Sequence, residues 1–590
     1  MDDELEKLFG TKKIPLMELI KRTSKYVKTQ RWRFLVAIFL LILNVAINIV
    51  LPILTATITN ILKTEIDLTL IIFIVVGYFS LTLINQGFAY LETMVLQKAG
   101  QEIVYNLRME IFEHIENMSI HQLNIMPVGS LVTRVANYTQ NMSQLFTDIL
   151  VTLLKNILTV IGVFSVMIYY SPLLSLIMLG VVAVVFAVSF VARHILTKLF
   201  RKERSYYSNM NTFLSENISG MKIIQIFNQQ RRKEREFKEK SKNIKDTGYK
   251  IVIVFALYRP FINLLYYVSI GLCFYFGIRF NLDAGGIVAF YLLLSRFFNP
   301  IEQIADQLNH IQRATTAGER IYNLLDVEPT VVDEKDAIEI DSFKGKIEFR
   351  NVWFAYEKED WILKDVSFVI EPKQTVAFVG ATGSGKTTIL SLIVRNFEAQ
   401  KGTILIDDID IKHIKIKSLR KAIGQMLQDV FLFSGDVKTN VTLYDENYSD
   451  EDVRAALEYV QADTFIDELP EGINSEVIER GENFSQGQRQ LLNFARTILV
   501  KPQILILDEA TANIDTETEV LIQESLHKMR NIGTMLIVAH RLSTIQNADN
   551  IIVINKGEII ESGKHQELLK KKGYYYKLYQ IQFNSNNQWK

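Results

Sequence analysis

Apolar residues are segregated along this chain rather than spread through it. Residues 34–62 read FLVAIFLLILNVAINIVLPILTATITNIL, without one ionised side chain. That exceeds the roughly 20 residues a helix needs to cross hydrocarbon. A helix in a soluble core keeps a polar stripe at a 3.6-residue period, and this run has none. Comparable runs recur at 68–95, 145–170, 173–191, 252–280 and 287–298, which predicts six membrane spans. The last is short, but apolar spacing continues through Ile301, Ile304, Leu308 and Ile311. It therefore reads as a long helix that leaves the membrane.

The connections set the orientation. Those after spans one, three and five are tiny (63–67, 171–172, 281–286), whereas those after spans two and four are long. The longer one carries Lys198, Arg201, Lys202, Arg204, Arg231, Arg232, Lys233 and Arg235, and Lys28, Arg31 and Arg33 precede the first span. The positive-inside tendency places both termini and both long loops in the cytoplasm. The first run is too long, and its polar lead too extended, for a cleavable signal peptide. Residues 101–118 and 200–217 keep helical apolar spacing with no glycine or proline, so spans two to five should continue as helices beyond the membrane. The loops break at Met126-Pro127-Val128-Gly129 and at Ser219-Gly220, and segments 119–123 and 218–226 are expected to lie against a cytoplasmic partner.

Lysine plus arginine and aspartate plus glutamate each total 65, a balance that argues against a nucleic-acid partner. The single cysteine, Cys273, forbids an intrachain disulfide and a cysteine-based zinc site. It fits a reducing compartment or a membrane interior. Beyond the acidic, loop-like stretch 326–345 no membrane-length run recurs, and β-rich segments alternate with helical ones as in an α/β domain. The expected organisation is a membrane α-helical bundle at 1–325, a linker at 326–345 and an α/β P-loop domain at 346–590.

Gly380-Ala381-Thr382-Gly383-Ser384-Gly385-Lys386-Thr387-Thr388 follows the strand-like run 375–379 and precedes a helix expected from Ile389. In that setting the glycines turn backbone N–H groups inward around phosphate oxygens, and the helix N-terminus adds positive potential. Lys386 reaches the β- and γ-phosphates and Thr387 can ligate magnesium, so the loop is expected to bind a nucleoside triphosphate. A second apolar strand, 504–507, ends in Asp508-Glu509. The aspartate is placed to hold Mg²⁺ and the glutamate to polarise attacking water. A third, 534–538, leads to His540, a candidate γ-phosphate contact.

Together these pieces resemble the nucleotide-binding domain of ABC transporters. Phe484-Ser485-Gln486-Gly487-Gln488-Arg489-Gln490, just before a helix, is similar to the ABC signature. The resemblance implies that Tyr356 stacks on adenine and that Gln428 sits near magnesium and the attacking water. It further implies that 512–515, ending in Asp515, is the D-loop, Glu509 the catalytic glutamate and His540 the switch histidine. Ser485, Gly487 and Gln488 would cover the nucleotide held by an opposite subunit. Six spans ahead of that domain resemble one half of an ABC exporter, whose loop tips are coupling helices. Glu476 to Gly481 is similar to the exporter X-loop, with Ile478 in place of the usual glycine.

The signature departs from the family's L-S-G-G-Q at Phe484 and Gln486. In heterodimeric exporters the subunit with an intact Glu and His commonly carries the deviant signature. The resemblance thus implies the catalytically intact half of a heterodimer that uses ATP and Mg²⁺ to export hydrophobic or amphipathic compounds, as in multidrug efflux, across the plasma membrane. A homodimeric exporter of lipid or peptide is the alternative. Of the charges in or near the spans (Lys155, Arg259, Arg296, Glu302 and Asp306), Arg259, Glu302 and Asp306 read as boundary ion-pair residues and Arg296 as a candidate lining of the transport cavity.

Overall fold

The computed structural model describes residues 13–64, 68–357, 360–426, 430–508, 516–538 and 545–587. They fall into two compact units: the chain up to His114 with Val128–Val327, and Ile115–Pro127 with Glu328 onward.

Among the described residues, six helices of the first unit are long and apolar enough to cross a membrane. They are Arg31–Thr64, Leu68–Glu116, Val128–Tyr170, Pro172–Ser219, Gln230–Arg279 and Ala284–Leu325. At 1.5 Å per residue the 49 residues of Leu68–Glu116 run about 70 Å, against about 30 Å of hydrocarbon. The expected helical continuation of spans two to five is therefore present. Ser171 is extended and caps Leu174 N–H, and Pro172 supplies a ready-made first helical residue, so the third and fourth spans meet in a sharp turn. The third rod holds two π-helical turns, Arg134–Tyr138 and Leu145–Ile149. In the first of these, the carbonyls of Val135 and Ala136 accept bonds from Arg108 Nε and Nη2 at 3.2 Å each.

The spans pack through Val163, Met167, Met178, Leu293, Leu294, Phe297 and Phe298, with Phe164 stacked on Phe297 at 5.7 Å. Large apolar side chains such as Phe73 and Phe190 stay exposed, as a lipid-facing surface requires. A feature absent from the sequence expectations is the helix Leu16–Thr29, whose Leu19, Thr23 and Tyr26 are buried. It is tied to the polar ends of spans two and six by Lys25–Glu110 at 2.6 Å, Arg22 Nη1 to Asp326 at 2.8 Å and Thr23 to Tyr322 at 2.7 Å.

The second unit carries twelve strands among its described residues. An antiparallel sheet of order β2-β1-β4-β5 is formed by β1 (Ile347–Ala355), β2 (Trp361–Ile370), β4 (Lys401–Ile406) and β5 (Ile409–Asp410). The larger sheet has the order β12-β11-β3-β10-β9-β6. Its members are β3 (Thr375–Val379), β6 (Ile423–Met426), β9 (Ile504–Asp508), β10 (Thr534–Val538), β11 (Asn550–Asn555) and β12 (Glu558–Gly563). Two short strands, β7 (Gly435–Asp436) and β8 (Glu476–Val477), pair separately. Strands β3 and β10 are buried along their whole length, which is why they read as continuous apolar runs rather than alternating ones.

Arg395 fastens the acidic stretch to this unit. Its guanidinium, only 1% exposed, donates to the carbonyls of Val332 at 2.9 Å and Ile414 at 3.0 Å, and to Glu398 at 3.0 Å. Removing one member of such a buried network strands the rest, so Arg395→Ala should destabilise the unit by about 3 kcal/mol. A chemical denaturation curve with an unchanged midpoint would contradict this.

Candidate functional site

The site is built where β3 ends. Parallel pairing sets β10 between β3 and β9, so three strand ends converge there: Val379, Val538 and Asp508. Ligands in such sheets bind outside the carboxyl ends of the strands. After Val379 the chain turns through Gly380 to Gly385 and enters the helix Lys386–Ile393. That helix begins three residues before the expected Ile389. Gly385, left-handed at φ 106°, acts as its N-cap and lets the chain turn directly into helix. The free N–H groups of the first turn therefore lie at the loop itself.

Steric limits explain the first glycine. A Cβ on Gly380 would lie 2.2 Å from the Ile554 carbonyl oxygen and 2.6 Å from Ser384 Oγ. Ser384 Oγ is buried and has no hydrogen-bond partner among the described residues, as expected of a group awaiting an anion. Lys386 folds back over the loop, its Nζ donating to the carbonyls of Gly380 at 2.9 Å and Ala381 at 3.0 Å. Burial holds its ammonium below the usual lysine value, opposed by the charge of Asp508. A poorly solvated cation beside open glycine backbone suits polyphosphate.

The two threonines divide their work. Thr387 is exposed in the first turn of the helix, whereas Thr388 is buried and bonds the Tyr356 hydroxyl at 3.1 Å. Thr387 and Asp508 thus supply oxygen donors of the kind magnesium takes. Tyr356 keeps an exposed face and packs edge-on against Phe354 at 4.9 Å and Phe397 at 5.1 Å. Phe397 is a site residue the sequence reading missed, because it follows a helix without any motif. Its ring also meets Phe354 at 5.5 Å and, at 5.4 Å, His121 in the helix Ile120–Ile125. That helix, capped by Ser119 and Gln122, is the one expected near 119–123. Gln122 Nε2 donates to the Glu328 carbonyl at 2.9 Å and Thr330 Oγ1 to Ser119 Oγ at 2.7 Å. The second such helix, Met221–Ile226 in the first unit, exposes Ile223 and Ile226.

The signature residues lie at another helix N-terminus, Gln486–Leu499. Ser485 caps it, its Oγ accepting from Gln488 N–H while Gln488 Oε1 accepts from Ser485 N–H at 2.9 Å. Phe484 and Gly487 are buried, and Ser485 and Gln486 are exposed. Nearby, Arg480 and Gly481 take left-handed conformations and Ile478 is exposed. Gln428, Glu509, Asp515 and His540 lie outside the described residues.

The chain matches the family model "ABC transporter transmembrane region" over residues 34–301 and "ABC transporter" over 363–512. It is 37% identical, over 86% of its length and 76% of the relative's, to the probable multidrug resistance ABC transporter ATP-binding/permease protein YheH of Bacillus subtilis (strain 168). It is 31% identical to the ATP-dependent lipid A-core flippase of Syntrophus aciditrophicus (strain SB), over 97% of this chain and 95% of that one. A solved bacterial Atm1-family ABC exporter with ATP bound shares the fold, with a TM-score of 0.78 at 24% identity, covering 94% of this chain and 98% of that chain. A six-span membrane domain leading into a P-loop ATPase domain, matched along nearly the whole chain, places this protein in the ABC transporter family as an ATP-hydrolysing exporter half.

Proposed function

We propose that the chain is the catalytically intact half of a heterodimeric exporter that moves hydrophobic or amphipathic compounds out across the plasma membrane. Both termini and the ATPase domain face the cytoplasm. The observation that carries this reading is the contrast between a complete nucleotide loop and the signature helix. There, exposed Gln486 stands at the first helical residue, where the family offers a bare glycine backbone. A long side chain at that position burdens the nucleotide site of the opposite subunit, not this chain's own.

In the proposed cycle Tyr356 stacks on adenine, and the loop from Gly380 to Thr388 cradles the phosphates. Thr387, Gln428 and Asp508 hold Mg²⁺, which when bound neutralises phosphate charge. Glu509 orients the attacking water, and His540 contacts the γ-phosphate. Ser485, Gly487, Gln488 and Asp515 face the partner's nucleotide. Closure of two ATPase domains is passed to the spans through the helices Ile120–Ile125 and Met221–Ile226. The apolar side chains exposed on the second helix favour a docking role.

The multidrug reading draws support from the Bacillus subtilis relative, a probable multidrug resistance transporter. A homodimeric lipid exporter is the second reading, supported by the flippase relative. Co-purification from native membranes separates the two. The proposal expects a second, unequal ABC chain in equal amount, with an impaired catalytic carboxylate at the position of Glu509. A pure homodimer overturns it.

A further inference from the structure

The described charges of the spans are not equally compensated. Lys155 lies within electrostatic reach of Glu92, a buried residue of the second span helix. Arg296 has no such partner among the described residues. Among the described residues its only side-chain hydrogen bond runs from Nη1 to Asn48 Oδ1, at 3.4 Å, and no carboxylate forms an ion pair with it. Asn48 is held for this contact: its Nδ2 donates to the carbonyl of Asn44 at 2.9 Å and to Asn44 Oδ1 at 3.1 Å, which leaves Oδ1 turned to the guanidinium. Asn44 in turn donates to the Asn85 carbonyl at 3.4 Å, and Tyr78 of the second span helix lies within electrostatic reach of Arg296.

This polar group sits deep in the membrane. Asn48 is the middle residue of the run 34–62. Arg296 lies twelve residues into the helix Ala284–Leu325, about 18 Å from its start. Arg296 is partly accessible, and its guanidinium carries more N–H donors than the one bond to Asn48 uses. A guanidinium at that depth is costly and is kept where it meets a counter-charge or a substrate pathway. Its planar fork matches a carboxylate or phosphate.

We propose that Arg296, oriented by Asn48, binds the anionic group of the transported molecule, so that the substrates include amphiphiles carrying a carboxylate- or phosphate-type oxyanion. This rests on the export reading above and narrows its substrate class.

The test uses full-length protein, with whatever partner it co-purifies with, in phosphatidylcholine nanodiscs that add no anionic lipid. Binding of 11-(dansylamino)undecanoic acid and of its methyl ester is read by dansyl fluorescence without ATP. Wild type should bind the acid about tenfold more tightly than the ester. Arg296→Gln should erase that preference while leaving the ester unchanged, and Arg296→Lys, which keeps the charge, should retain most of it. Equal binding of acid and ester by wild type, binding of neither, or a preference that survives Arg296→Gln overturns the proposal. ATP-driven uptake of Hoechst 33342 into inside-out vesicles, followed in parallel, reports separately on export. Its failure strikes that reading, whereas its persistence alongside a failed acid preference strikes only this inference.

Discussion

Glu509→Gln should leave ATP binding intact and lower hydrolysis by about 10²- to 10³-fold. The substitution keeps size and hydrogen-bonding capacity but removes the charge that draws a proton from the attacking water, a contribution of that order in general acid–base catalysis. The neighbouring Asp508 closes β9 and its charge acts on Lys386 across the strand ends, and both side chains are kept in this variant. Single-turnover hydrolysis together with binding of a fluorescent ATP analogue checks both halves. Hydrolysis within a few fold of wild type would remove Glu509 from the catalytic role.

Lys386→Ala produces the opposite split. Lys386 Nζ sits 2.9 Å from the Gly380 carbonyl and 3.0 Å from that of Ala381, at the mouth of the loop. Its ammonium is already largely removed from solvent, so little further desolvation opposes its meeting a phosphate. Charge-assisted hydrogen bonds contribute about 1.5–3 kcal/mol each, so losing this one weakens ATP binding by roughly 10- to 100-fold. Hydrolysis at limiting ATP falls with it. Equilibrium titration with the same analogue measures the loss, and unchanged affinity would mean that the loop binds something other than a triphosphate. Taken together, the two variants separate binding from chemistry: one holds nucleotide without turning it over, and the other fails to hold it.

The parts of this molecule that were legible in its sequence are those where one physical constraint acts on a contiguous run. Hydrocarbon demands an unbroken apolar stretch, and residues 34–62 show it. A phosphate cradle demands glycines between a buried strand and a helix, and Thr375–Val379 followed by Gly380 to Gly385 shows that. Contacts made across the fold left no such trace. Phe397 meets Tyr356 and His121 only after three separate segments come together. Arg395 reads as one more surface arginine until Val332, Ile414 and Glu398 close around it. The helix Leu16–Thr29 was read as a polar lead because its buried face is narrow, with Leu19, Thr23 and Tyr26 set among charges that pair with distant residues such as Glu110 and Asp326. The helix starting at Lys386 was placed late because a left-handed glycine cap is not a periodicity signal.

Charge read along the sequence also takes on a sharper meaning in three dimensions. A net charge of +0 conceals spans in which Lys155 lies within electrostatic reach of Glu92 while Arg296, among the described residues, bonds only the amide oxygen of Asn48. The first puts an opposite charge within reach; the second leaves a cation with donors to spare for the proposed anion.

In the proposed cycle ATP hydrolysis at this chain's own site drives outward movement of an amphipathic compound. Its most direct measurement is uptake of Hoechst 33342 into inside-out vesicles from native membranes overproducing the chain, with wild type compared against Glu509→Gln at equal protein. The account predicts uptake by wild type that requires ATP and magnesium, and uptake by Glu509→Gln at the level of vesicles lacking the protein. Uptake that is equal for the two, or that proceeds without ATP, would contradict it.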